Sequence, residues 1–309
     1  MDDERTSGRP VLQLVDTPSD RDVDAWSGRG EAPEAAQAPA VLLWLTAGSD
    51  AWYLLEHAVD WAERLGASLH VCAAVEPVRS NPWDVLEAST HAQRTELMRR
   101  DMEVWLQRLA ACVPASALGS CEIVEGEPGP ILAERARGMR LVIVGRSMPR
   151  GHGVSILSCG QPVLVAHGRR PRARPRVHLP LDHRLSRFDA AGWLGRNLRD
   201  ADVSVLYPIA GASPPPRVTT PPREALGLGE CLLESGVVRV PGGASIAEVV
   251  VSEAERADAD LVVIPAAPRR GLARLFGTVS ESITRAAHCS VLLVPVAPAC
   301  EPEEWRMFG

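Results

Sequence analysis

The chain has 309 residues, of which 46% are apolar and 23% charged, and its net charge is −6. At roughly 100–200 residues per domain this length predicts two domains with substantial cores, and the acidic balance excludes the broad basic footprint of a nucleic-acid binder. All 33 basic residues are Arg, so a Walker-type phosphate loop, which needs a Lys, is excluded as well.

Residues 1–38 are rich in Asp, Arg, Gly, Pro and Ala, with Val11–Val15 as the apolar exception. That composition predicts a disordered leader. Val41–Leu45 is a continuous apolar run, the pattern of a buried parallel strand. Gly48-Ser49-Asp50 supplies a turn and a cap. Leu55, Ala58, Ala62 and Leu65 then recur at helical spacing up to Gly66. Ser68–Val75 is a second strand, and Met98, Met102, Trp105 and Leu109 mark one face of a long helix. Glu122–Val124 is a short third strand. Pro130 suits the first turn of the helix that follows Gly126. Leu141–Val144 and Val163–Ala166 are the fourth and fifth strands.

The order then repeats. Val177–Leu181 is a strand, residues 186–198 a helix and Val203–Ile209 a strand. Residues 212–222 are a Pro-rich loop and Gly227–Leu233 a helical remnant. Val237–Val240, Leu261–Ile264 and Val291–Val296 are strands. Ile246, Val249, Val250 and Ala257 mark one intervening helix, and Val279, Ile283 and Ala287 the other. Equal order with unequal loops is the mark of a diverged duplication. The predicted organisation is a leader over 1–38, a first domain over 39–168, a linker over 169–175, a second domain over 176–297 and a tail over 298–309. Arg169–Pro175 (RRPRARP) suits a linker, with a basic binding patch as the alternative. Strands alternating with helices predict two tandem doubly wound parallel five-stranded α/β sheets, whose ligands sit beyond the carboxyl ends of the strands where the strand order reverses.

Seven Cys without any C-x-x-C spacing predict reduced thiols rather than a disulfide framework or a zinc site. No apolar run reaches the roughly 18 residues of a membrane span. The opening Asp2, Asp3 and Glu4 are unlike a signal peptide. A cytoplasmic chain with no membrane partner is the expectation. No G-x-S-x-G, H-E-x-x-H or complete G-x-G-x-x-G is present. The cluster His178, Asp182, His183 has a structural and a metal or acid–base reading. Trp44, Trp52 and Trp61 are read as core rather than a ligand platform, and Cys289 as a small buried residue.

Residues 41–71 (VLLWLTAGSDAWYLLEHAVDWAERLGASLHV) resemble the opening of a universal stress protein domain. Residues 257–296, with GEPGPI and PGGASIAEVV at the turns into the third helix, resemble its later parts. The resemblance covers roughly residues 40–297. It implies a tandem stress-response protein that acts by binding ATP or AMP in its second domain. It also implies an intramolecular pseudo-dimer formed through Val163–Ala166 and Val291–Val296, with a homodimer beyond that. Nucleotide-binding members carry an Asp after strand 1 that meets adenine and a G-x-x-G-x9-G-[ST] loop after strand 4, where small residues admit backbone N–H groups to phosphate. Asp182 falls at the Asp position, and Gly277, Thr278, Val279 and Ser280 match the end of the loop. The earlier glycines align with Pro265 and Pro268, so Pro265 and Ala266 open a loop short of donors. Arg269 and its neighbours Arg270 and Arg274 are either substitute phosphate contacts or a solvated face. In the first half Thr46 stands at the Asp position and Gly145 at the first glycine, but the loop is shortened. No catalytic or metal residue is assigned. The alternatives are a nucleotide-free interaction scaffold and a slow ATPase.

Overall fold

The structure, a computed structural model, describes residues 13–14, 39–46, 51–76, 85–146, 160–181, 189–210, 232–266 and 278–295. The chain divides into two compact units, Met1–Met148 and Pro149–Gly309.

The first unit contains β1 (Gln13–Leu14), β2 (Ala40–Thr46), α1 (Ala51–Leu65), β3 (Ser68–Val75), α2 (Val85–Ala110), β4 (Leu118–Glu125), α3 (Pro128–Arg135) and β5 (Leu141–Gly145). Its strands lie in the order β1-β4-β3-β2-β5, all parallel. Val41 to Leu45 of β2 are at most 2% exposed. A strand paired on both sides and covered on both faces can afford no polar alternation, which is why this stretch is uniformly apolar. Each buried Leu there contributes about 2 kcal/mol. Helix α1 buries Leu54, Leu55, Ala58, Trp61, Ala62 and Leu65. It stops at Gly66 (φ +57°), and Ala67 N donates back to Ala62 O at 2.9 Å. Gln13–Leu14 falls in the leader expected to be disordered, yet it pairs with Glu122 and Ile123 of β4.

The second unit contains β6 (Val163–Ala166), β7 (Arg176–Pro180), α4 (Asp189–Asn197), β8 (Asp202–Ala210), β9 (Leu232–Val240), α5 (Ile246–Arg256), β10 (Leu261–Ala266), α6 (Thr278–Ala286) and β11 (Ser290–Pro295). The order is β6-β11-β10-β7-β8-β9. Every neighbour pair is parallel except β6 with β11, where Val165 stands opposite Val291 and Leu164 opposite Leu292. Val163–Ala166 is this antiparallel strand, paired with the last strand as the resemblance implied; expected to end the first domain, it groups with the second unit. Of the helix expected over Gly227–Leu233, Leu232 and Leu233 instead begin β9, and the remainder lies outside the described residues. Pairing with β8, from Asp202↔Leu232 to Leu206↔Gly236, carries the strand (Leu232–Val240) back beyond the Val237–Val240 of its sequence pattern. Helix α5 starts with a reciprocal cap: Glu248 N donates to Ser245 Oγ at 3.1 Å, and Ser245 N donates to Glu248 Oε2 at 2.7 Å.

Arg169–Pro175, expected as a linker, is fastened within the second unit. Gly168 has φ +69°, and a Cβ there would lie 2.3 Å from His288 O, so glycine is required. The Asp260 carboxylate is fully buried. It accepts from Arg169 Nε at 3.1 Å, Arg172 Nη1 at 3.4 Å and Arg176 N at 2.9 Å. Asp258 pairs with Arg169, Arg172 and Arg176, and the Arg172 guanidinium holds its carboxyl below the usual carboxylate range. Asp258 itself has φ +50°. It fills the left-handed position after α5, where Asp258 N donates to Glu255 O and Ala259 N to Ala254 O, both at 2.9 Å.

Candidate functional site

The strand order reverses between β2 and β5 in the first unit and between β7 and β10 in the second. Such reversals open a crevice at the carboxyl ends, because the two following connections depart to opposite faces. The two crevices differ in depth. β2 and β5 stay in register over four pairs, Val41↔Leu141 to Trp44↔Val144. β7 and β10 share two pairs, Leu261↔Val177 and Val262↔His178. On its other side β10 runs on with β11 as far as Ala266↔Pro295. Among the described residues, 263–266 therefore have a ladder partner on the β11 side alone.

Pro265 lies on this free stretch, opposite Val294 of β11. A proline inside a sheet needs one side without a ladder, since it has no N–H to give. Ala266, 5% exposed, ends the strand. Thr278 is the first residue of α6. Val279 is 38% exposed, and the Ser280 carbonyl accepts the Thr284 hydroxyl at 2.8 Å. Glu281 in the first turn pairs with Arg285 at 2.5 Å, so that helix start already carries an acid on its positive end. Of the eight residues predicted for the site, Pro265, Ala266, Thr278, Val279 and Ser280 thus lie at the end of β10 and the start of α6. Asp182, Arg269 and Gly277 lie outside the described residues, as do Pro268, Arg270 and Arg274.

In the first unit Thr46 and Gly145 end β2 and β5. Gly48-Ser49-Asp50 and Gly151-His152-Gly153 lie outside the described residues. Trp44 and Trp61 are each 1% exposed and belong to the core, whereas Trp52 is 48% exposed at the start of α1. The Cys289 thiol is buried, and burial pushes it up to about 12, far from a reactive thiolate. His178 is buried, and Asp182 and His183 lie outside the described residues. Among the described residues no three His, Cys, Asp or Glu side chains converge as a metal site, and no helix is long and apolar enough to cross a membrane.

The model of the universal stress protein family matches residues 176–295. No curated protein matches the chain by sequence. A universal stress protein from Archaeoglobus fulgidus DSM 4304 superposes with a TM-score of 0.59 at 12% identity, covering 84% of this chain and 97% of that one. This likeness extends the fold over most of the chain. Two further solved structures cover a smaller share of it. A universal stress protein in complex with cAMP has a TM-score of 0.33 at 22% identity, over 41% of this chain and 100% of that one. Universal stress protein UspA from Lactobacillus plantarum has a TM-score of 0.33 at 17% identity, over 40% and 92%.

Proposed function

We propose, from the match of residues 176–295 to the universal stress protein family model, that the chain is a non-catalytic, cytoplasmic stress-response protein that binds an adenine nucleotide weakly in its second unit. The observation that carries this reading is the short β7–β10 ladder, which leaves the carboxyl end of β10 open beside β7. Asp182 would meet adenine there. The Thr278 and Ser280 hydroxyls, with the start of α6, would meet phosphate, and Arg269 would supply the charge that Pro265 and Pro268 do not. Two prolines in place of glycines remove backbone donors and freeze φ, so the grip on phosphate is loose. The ligand class is ATP or AMP. Free Cys72, Cys112, Cys121 and Cys289 agree with a reducing compartment. Self-association of whole chains belongs to the same reading, and light scattering measures it.

Pro265 also favours a second reading, an interaction scaffold that holds no nucleotide. Heat-denaturing the purified protein and running the supernatant on anion exchange separates the two. Released ATP or AMP supports the binding protein. A clean supernatant together with no calorimetric signal on titration with ATP supports the scaffold. ADP that accumulates with time and disappears in Asp182→Ala would make the protein a slow ATPase instead.

A further inference from the structure

His178 sits in β7, a strand with neighbours on both sides, at 2% exposure. Among the described residues neither ring nitrogen has a hydrogen-bond partner. An imidazole in such a place costs stability unless it serves something, because a parallel strand buried on both faces is ordinarily apolar throughout. The register shows what surrounds it. His178 pairs with Ser204 of β8, and Ser204 with Glu234 of β9. Two residues earlier Arg176 pairs with Asp202. Side chains two apart on a strand share a face, so polar groups from three adjacent strands gather on one side of the sheet. Arg256 and Ala257, at the end of α5, complete the lining of a cavity of about 420 Å³ there. This volume falls within the range of small-molecule sites. It lies at the amino ends of β7 and β8, the opposite end of the strands from the crevice beyond β10.

We propose that this cavity binds a small zwitterion of the amino-acid class, with its carboxylate toward Arg176 and Arg256, its ammonium toward Asp202 and Glu234, and His178 and Ser204 as the polar floor. The balance of charge selects that class. A simple anion would face two carboxylates and a simple cation two guanidiniums, whereas a molecule carrying both signs meets each with its opposite. The rim is partly engaged already: Asp202 with Arg174 at 2.8 Å, Arg256 with Glu253 at 2.5 Å and Arg176 with Asp258 at 3.4 Å. These are exposed pairs, worth little each, and a ligand can share them at small cost. Burial pushes the His178 imidazole down to about 4, so at neutral pH it offers one donor and one acceptor rather than a charge.

The test uses the full chain labelled at histidine, with the His178 ring resonance assigned by its loss in His178→Leu. Each proteinogenic amino acid is titrated at millimolar concentration, with sodium acetate and methylammonium chloride as single-charge controls. ATP is added as a competitor. At least one amino acid should shift the His178 resonance saturably, with a dissociation constant of about 1 mM or lower. ATP should leave that binding intact, whatever it does at the other end of the strands. Glu234→Gln, on an exposed strand where folding is not at stake, should weaken the same binding about tenfold. No saturable shift, acetate or methylammonium binding as tightly as any amino acid, or an unchanged affinity in Glu234→Gln would each overturn the proposal.

Discussion

The stretch β4-β3-β2-β5 of the first unit corresponds to β9-β8-β7-β10 of the second, and one register row compares them residue by residue. In the first unit the row across β5, β2, β3 and β4 reads Val142, Leu42, His70, Ser120. In the second, across β10, β7, β8 and β9, it reads Val262, His178, Ser204, Glu234. The first unit keeps β2 apolar and places its histidine one strand out. There His70 Nδ1 meets Ser120 Oγ at 2.8 Å and Nε2 meets Ser68 Oγ at 3.2 Å, so the ring is satisfied. The second unit moves the histidine into β7, where among the described residues neither nitrogen has a partner. The turn before the fourth long strand differs in the same spirit. The first unit uses Gly138 (φ +76°) three residues before β5, and the second uses Asp258 (φ +50°) three residues before β10. Glycine takes that conformation without strain, while Asp258 takes it with three arginines around it. Where the first unit chooses the residue of least local cost, the second carries charge and strain that other residues offset.

Moving the histidine back tests the comparison most severely. Leu42→His places an imidazole at a position 2% exposed. The lost packing and the unpaired polar group together should cost about 4 kcal/mol, read by chemical denaturation with hydrogen exchange at the β2 amides. A neutral result would mean that the row tolerates histidine in either unit and that His178 carries no special meaning.

The pH dependence follows next. Burial is the main cause of the lowered His178 value, with Glu253 opposing and Arg256 reinforcing it. The folded state therefore keeps the ring neutral down to about 4, while the unfolded chain takes up a proton near 6.5, its ordinary value. Protons favour the unfolded chain across that window, so stability falls as pH drops through it. His178→Leu should abolish about 2 kcal/mol of that fall, measured as the difference in unfolding free energy between the two ends of the window. An unchanged slope would assign the acid sensitivity to other groups.

Asp260→Asn weakens an acceptor that serves Arg169, Arg172 and Arg176. The guanidiniums are half in water, which trims the loss to about 2 kcal/mol. A lowered melting temperature with loss of exchange protection at the Arg176 amide is the expected outcome. The smallest effect belongs to Gly138→Asp, which imports the second unit's residue without its arginines and should cost about 1 kcal/mol. A stability equal to wild type would show that the left-handed turn needs neither glycine nor a clamp.

Apolar runs such as Val41–Leu45 and Leu261–Ile264 announced the parallel strands, because burial on both faces leaves its imprint on every residue of a strand. Pairing partners leave no such imprint. The antiparallel match of Val163–Ala166 with β11 was expected from the family resemblance and not from any local pattern, since it depends on residues more than 100 positions away. The site divides along the same line. Pro265 and Thr278 drew notice because the substitution of proline for glycine has a local meaning; the loop expected to open at Pro265 begins later, since Pro265 and Ala266 still belong to β10. The cavity beside His178 was not, because Arg176, Ser204, Glu234 and Arg256 converge through the sheet. The trace in the sequence was the pair Arg176 and His178, two polar residues alternating inside a strand that should have been apolar. The Arg-rich stretch before β7 misled in the opposite sense. Its composition suits a linker, and only the buried carboxylate of Asp260 explains why it is pinned.

That pinning bears on how the protein can be cut. The family match begins at residue 176, which makes Arg176 the obvious first residue for a recombinant fragment. Such a fragment would retain a carboxylate with no solvent exposure while discarding Arg169 and Arg172, two of the side chains that neutralise it. It would also discard β6, the antiparallel cover of β11. Boundaries placed ahead of Val163 keep that chemistry whole, and a trimmed fragment that misbehaves in solution would be reporting on its excision rather than on the unit it came from.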